Sequence, residues 1–204
     1  MSAITVETLQ AAIARANARM LTLEEELNAA DSKLGDGDTG VMLARVLARF
    51  QETDLSNEAD VGAALQTLAR AAASATGSSL GTLFATALLT IGKKTKGCET
   101  VAWSELSVLL QAALDAMINR GGASLGDKTV LDAIEAVVKA TDGLHDANQI
   151  AASSQKSVQL ALDDFRDQPC KIGRARMFAE KSIGIDDPGM LGFARLVEAV
   201  SKSS

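Results

Sequence analysis

Residues 6–40 read VETLQAAIARANARMLTLEEELNAADSKLGDGDTG, and two patterns meet in them. Val6, Leu9, Ile13, Ala16, Met20, Leu23 and Leu27 recur in steps of three and four, which sets them on one face of a helix. From Asn28 to Asp38 the chain turns polar and glycine-rich, so the helix stops there. Leu43, Val46, Leu47 and Phe50 then form the apolar side of a second helix. The unit is helix, glycine-rich loop, helix.

The rest of the chain repeats that unit without repeating its sequence. A third helix is expected over 58–75, carrying Val61, Leu65 and Leu68, and a fourth over 82–91 after the break TGSSLG. A fifth begins near Trp103 with Leu106, Leu109, Leu110, Leu114 and Met117, and stops at the glycine pair after Arg120. Val130, Ile134, Val137 and Val138 mark a sixth. A seventh runs over 147–166 with Val158, Leu160 and Leu162, before Pro169 ends or kinks it. An irregular stretch leads to a last helix over 190–200. The expectation is one all-α domain, residues 1–204, of eight helices joined by glycine-rich loops.

Composition agrees. Of 204 residues, 47% are hydrophobic and only 3% aromatic, with two prolines and no tyrosine, a balance that favours helix over sheet. The net charge of −6 and the lack of a dense Lys/Arg cluster argue against a nucleic-acid binder; Lys171, Arg174 and Arg176 are the most basic stretch, and it is short. Cys98 and Cys170 are too few and too far apart for a disulfide framework or metal cluster, and fit two free thiols in a cytoplasmic protein. Met1 leads straight into an amphipathic helix, so no signal peptide is expected. Residues 71–92 carry no charge, but TGSSLG interrupts them and they are rich in Ser, Thr and Gly; a buried helix–turn–helix is expected there, not a membrane span.

The chemistry gathers in the loop Asp31-Ser32-Lys33-Leu34-Gly35-Asp36-Gly37-Asp38-Thr39-Gly40. Its glycines let the backbone fold tightly and bring three carboxylates together. Two carboxylates at about 4 Å repel by roughly 4 kcal/mol at an effective dielectric of about 20, a cost that a divalent cation removes. Hard oxygen donors suit magnesium, which commonly takes one or two carboxylates plus phosphate oxygens. The loop also precedes a helix start, where the free N–H groups of Gly40 and Val41 would face a phosphate. On spacing alone, a solvated capping loop with Asp38 as N-cap is the stronger reading. The twelve-residue EF-hand pattern is not completed, and neither a Walker A loop nor a GxGxxG after a strand is present. Three further loops, TGSSLG, GGASLGDKT and IGIDDPG, set glycine beside hydroxyls or acids at helix junctions, which suggests a common rim built to approach a ligand.

The order of these motifs resembles the nucleotide-binding L subunit of bacterial dihydroxyacetone kinase: the aspartate loop, the Gly/Ser loop before Leu83-Phe84, then RG…GDKT…D, GRA and SIG…DPG. The resemblance runs over nearly the whole chain. It implies a bundle of eight antiparallel helices holding ADP or ATP at one end through two magnesium ions. It makes Asp31, Asp36 and Asp38 the metal ligands. Thr39, Gly40, Val41 and Met42 become the nucleotide-contacting start of the second helix, and Ser79 and Leu80 fall on the Gly/Ser loop. Gly121 and Val130 would lie by the nucleoside, Arg174 near the phosphates, and Asp187, Pro188 and Gly189 on a closing loop. Arginine suits that place because its charge is permanent and its fork fits phosphate. The chain departs from the pattern at Thr39 and Met42, often His and Asn in the family, at Leu80, often Ser, at Ile172, where a basic residue is usual, and at Pro169. The GDGDTG string is also similar to the nucleotide domain of bacterial fatty acid kinases.

The implied function is a phosphotransferase half-site. Phosphoryl transfer is mainly positioning and charge neutralisation, which carboxylates, metal ions and one arginine can supply. The lone histidine, His145, lies in a polar segment and reads as a solvated residue. In the family the ketose sits on a histidine of a separate K subunit, which fits that scarcity. ADP would either stay bound and be recharged by a phosphotransferase-system protein, or exchange freely with ATP; a homodimer is a further expectation. The alternatives are a nucleotide-dependent regulatory module that docks on a partner, the ATP-binding subunit of another kinase of this fold, and a plain structural bundle.

Overall fold

The computed structural model describes residues 3–201; for Arg174, Ala175 and Phe178 it describes the backbone only. Eight α-helices follow in order: α1 Val6–Asp31, α2 Thr39–Glu52, α3 Val61–Ala75, α4 Ser79–Lys94, α5 Leu106–Gly121, α6 Val130–Thr141, α7 Ala147–Arg166 and α8 Pro188–Ser201. A 3-10 turn, Trp103–Glu105, leads into α5, and a 3-10 helix, Arg174–Ser182, precedes α8. Among the described residues there is no strand, only an isolated bridge between Ile4 and Val101. No described helix is long and apolar enough to cross a membrane.

Each helix packs on the next in sequence, and α8 returns against α1, so the eight close into a ring. Short connections make neighbours antiparallel, and α2, α4, α6 and α8 therefore all begin at the same end. Local chemistry sets the starts. Asp60 caps α3 by accepting from Ala63 N at 2.7 Å, and Asp146 caps α7 through the N–H groups of Asn148 and Gln149. Thr129 and Asp132 form a reciprocal capping box at α6. Pro188 opens α8, the position where a missing N–H costs nothing.

The expected apolar stripes face inward. Met20, Leu23 and Leu27 of α1 meet Leu43, Val46, Leu47 and Phe50 of α2, with Leu65 and Leu68 of α3 and Met190, Leu191 and Val197 of α8 in the same core. The Phe50 and Phe84 rings stand 5.8 Å apart at a tilt of 47°. A second cluster, Leu114, Met117, Leu131 and Ile134, fills the α5–α6 side. On α7, Val158 and Leu162 are buried, but Leu160 is exposed: two residues from each of them, it points to the other side of the helix.

Several boundaries correct the sequence reading. α3 starts at Val61 because Asp60 caps it, not at residue 58. α4 starts at Ser79, since Ser78 accepts from Gly81 N at 3.0 Å and draws the Gly/Ser loop into the first turn. α8 starts at Pro188 instead of Met190. α7 spans Ala147–Arg166 as read from the sequence, but it ends three residues before Pro169, so the proline does not end it.

Candidate functional site

The end where the even-numbered helices begin carries a cleft of about 610 Å³. Its walls are the 31–42 loop and start of α2, the 76–80 loop and start of α4, Thr129 and Val130 at α6, Ile172 and Gly173, and Asp187–Gly189 at α8. Four loops that the sequence reads as separate motifs are thus one rim.

One carboxylate oxygen from each of Asp31, Asp36 and Asp38 lies within 4.8 Å of the others, close enough to share a metal ion. Asp31 is the last residue of α1 and is buried; Asp36 and Asp38 are exposed. The turn that gathers them needs its glycines. A Cβ on Gly35 would collide with Asp31 Oδ1, and Gly37 adopts φ +77°.

The capping arrangement differs from the expected one. Asp38 occupies the N-cap position of α2, but its side chain makes no capping bond. Asp31 does this instead: its Oδ2 accepts from Asp38 N at 2.9 Å and from Thr39 N at 3.1 Å. Asn28 Oδ1 accepts from Val41 N at 3.1 Å. Side chains of α1 therefore already satisfy the Thr39 and Val41 N–H groups, so the Val41 N–H expected to face a phosphate is engaged within the protein. Gly40 does not line the cleft. Its backbone lies so close to α1 that a Cβ would collide with the Glu24 carbonyl oxygen.

Thr39, Val41, Met42, Ser79, Leu80, Val130, Asp187, Pro188 and Gly189 all line the cleft. Gly121 does not: it packs on Leu83, which does. The side chain of Arg174 lies outside the described residues. Arg45, which the sequence reading missed, lines the cleft and is exposed. It stands one helical turn beyond Val41 and Met42, and that spacing was the available signal. The other described charged residues of the wall are Asp31, Asp36, Asp38 and Asp187, so the cleft is strongly acidic.

Asp187 accepts from Met190 N at 2.9 Å and so caps α8. Burial pushes its carboxyl up to about 6, against the pull of the Gly189 and Met190 N–H groups and the Lys128 charge. Asp132, below the α6 start, is also raised, chiefly by burial. An acidic pocket of this kind can bind a polyanion only with cations between, and its hard oxygen donors fit Mg²⁺ by type.

The DAK2 domain model matches residues 33–202. This chain belongs to the DAK2 domain family. It is 32% identical over 171 residues to the PEP-dependent dihydroxyacetone kinase 1, ADP-binding subunit DhaL, of Listeria innocua, a match spanning 83% of this chain and 82% of that one. It is 33% identical over 189 residues to the L-erythrulose 1-kinase of Mycolicibacterium smegmatis, covering 88% of this chain but 32% of the kinase. The DAK2 chain thus spans about a third of the length of that longer relative and most of the length of the subunit. In fold it is similar to the crystal structure of the dihydroxyacetone kinase from C. freundii in complex with AMP-PNP and Mg²⁺, with a TM-score of 0.72 and 20% identity over 98% of this chain and 34% of that chain.

Proposed function

We propose that this chain is the nucleotide-binding subunit of a small-ketose kinase, with dihydroxyacetone or an erythrulose as acceptor. The observation that carries the reading is the Asp31–Asp36–Asp38 cluster, placed in a cleft ringed by four helix starts in a DAK2 domain. Its relatives include an ADP-binding subunit of dihydroxyacetone kinase and an erythrulose kinase.

Asp31, Asp36 and Asp38 would hold magnesium, two ions on the family pattern. A metal held there would supply charge neutralisation on the phosphates, which eases displacement of the terminal phosphoryl group. Asp31 caps α2, and those two bonds fix the carboxylate that would hold the metal. Thr39, Val41 and Arg45, which line the same cleft, are assigned to the phosphate side. Met42, Leu80, Leu83, Val130 and Pro188 offer an apolar wall for a nucleoside. Arg174 is assigned to the phosphates.

The acceptor comes from elsewhere. His145 is the single histidine, exposed beside the start of α7, away from the cleft. No histidine can therefore trap a ketose at the aspartates, and a partner K subunit is assigned that task. We assign the protein to the cytoplasm, with bound ADP recharged by a phosphotransferase-system protein and a homodimer as the oligomeric state to test. The experiment is mass spectrometry of the purified, denatured protein, followed by turnover with a K subunit and dihydroxyacetone. Stoichiometric ADP and turnover from the protein donor support the recharged version; an empty chain active with ATP supports exchange. Absence of turnover with either donor, together with no MgADP binding, overturns the reading.

A further inference from the structure

The GDKT motif contributes Thr129 to the cleft wall, yet its lysine points away from the cleft into the protein. Lys128 is 1% exposed, and it is the single non-glycine residue with positive φ, at 60°, among those described. Its ammonium donates to the carbonyl oxygens of Arg166 at 2.9 Å, Gln168 at 2.8 Å and Ser182 at 2.7 Å. Three N–H donors meet three acceptors, so the group is saturated. Arg166 closes α7, where unsatisfied carbonyls and the negative end of the helix dipole favour a cation. A left-handed backbone and a desolvated charge are both costly, and a loop keeps such features where the surroundings require them.

One carbonyl ends α7, and the other two bracket a single strap. Gln168 and Ser182 stand at the two feet of the segment that carries Ile172 and Gly173 into the cleft wall. The same feet are joined by Cys170 N donating to Ser182 Oγ at 2.8 Å. Beyond them, Gly184 N donates to Arg166 O at 2.9 Å, and the chain reaches Asp187–Gly189, again on the wall. Lys171 ties the near foot to the GDKT loop, through its N–H to Asp127 O at 3.1 Å and its Nζ to Gly126 O at 2.7 Å. One side chain thus fixes the start of α6, the end of α7 and both feet of the strap relative to one another.

We propose that Lys128 is a positioning residue: its ammonium pins the 168–182 strap against the start of α6 and so sets the shape of the cleft without touching the ligand. This rests on the cleft being the nucleotide site.

The test compares Lys128→Met, Ser182→Ala and Asp146→Ala. The methionine variant removes the three donors but keeps an unbranched chain. The alanine at 182 removes the acceptor of Cys170 N and leaves the lysine in place. Asp146→Ala removes the α7 cap at the other end of the helix, as a control for mere loss of stability. MgADP affinity is measured by calorimetry, and tryptic cleavage after the exposed Arg176 and Lys181 is timed. Lys128→Met is expected to weaken MgADP roughly ten- to a hundredfold, the range for lost supporting hydrogen bonds around a metal site. It should also speed cleavage in the strap while far-UV helicity holds. Ser182→Ala should move both readouts the same way by less, and Asp146→Ala should move neither. If Lys128→Met does not fold, Lys128→Gln, which keeps two donors but loses the ammonium, carries the test by the same two readouts. Affinity within twofold of wild type, or unchanged cleavage, in the folded strap variants overturns the proposal. If the wild type itself binds no MgADP, the nucleotide reading fails, and with it the ligand half of this proposal.

Discussion

Asp31 serves two ends at once, and substitution can separate them. Its Oδ2 satisfies the N–H groups of Asp38 and Thr39, and its carboxylate is the buried member of the metal cluster. Asp31→Ala removes both roles. Loss of a helix cap costs about 0.5–2 kcal/mol, and a buried N–H left without an acceptor about 1–3 kcal/mol. Thr39 is buried, so a total of roughly 2–3 kcal/mol follows. At about 2–4 °C per kcal/mol for a chain of this size, Tm should fall by roughly 4–12 °C. Asp31→Asn keeps an acceptor oxygen and loses the charge, so its metal-free Tm should drop by only a few degrees. Magnesium then discriminates. At a concentration one hundred times Kd, binding stabilises the wild type by about 2.7 kcal/mol, roughly 5–11 °C. Asp31→Asn should show a flat Tm against magnesium, read by scanning calorimetry with calcium-free buffers. An unaltered magnesium response in Asp31→Asn would refute the metal role, and wild-type stability in Asp31→Ala would refute the cap.

Three other outcomes are expected. Asp187, with a carboxyl raised to about 6 by burial, keeps its proton longer in the folded than in the unfolded chain; its contribution to stability therefore declines as pH rises from about 4 through about 6, by at most about 3 kcal/mol. Asp187→Asn, which keeps the α8 cap acceptor, should gain on the wild type between pH 5 and 7.5 in urea unfolding, and a constant difference would contradict the assignment. Gly40→Ala must push α2 off the Glu24 carbonyl and should cost about 1–3 kcal/mol in the same assay. Arg45→Gln, at an exposed position, should leave stability within about 0.5 kcal/mol and weaken MgADP more than MgAMP by calorimetry, whereas equal loss for both would remove Arg45 from the phosphate side.

What the sequence discloses is what neighbours along the chain decide. The steps of three and four in α1 announce the helix and the face that Met20, Leu23 and Leu27 bury. The short glycine loops announce antiparallel neighbours and a shared rim. Misreadings occur where a distant part of the chain decides. Asp38 has the composition of an N-cap, yet the acceptor is Asp31, seven residues earlier on the neighbouring helix. Gly40 reads as a phosphate contact but serves the close approach of α2 to α1. Nothing around Lys128 reveals that carbonyls thirty-eight, forty and fifty-four residues later converge on it. Arg45 carries a signal, its place on the Asp38–Met42 face, which becomes visible once that face is known to bound a cleft.

The alternation of helix direction also divides the molecule into a working end and a free end. The connections 53–60, 95–105 and 142–146 lie at the end opposite the aspartates, where the Ile4–Val101 bridge and the bond from Val61 N to Cys98 O hold the loops together. Of these, 142–146 takes no part in that tie. A fluorophore, an affinity tag or a tether grafted there would sit a full helix length from the cleft, about 18 Å along the twelve residues of α6. That makes it the natural handle for immobilising or labelling the protein while its ligand chemistry is watched from the other side.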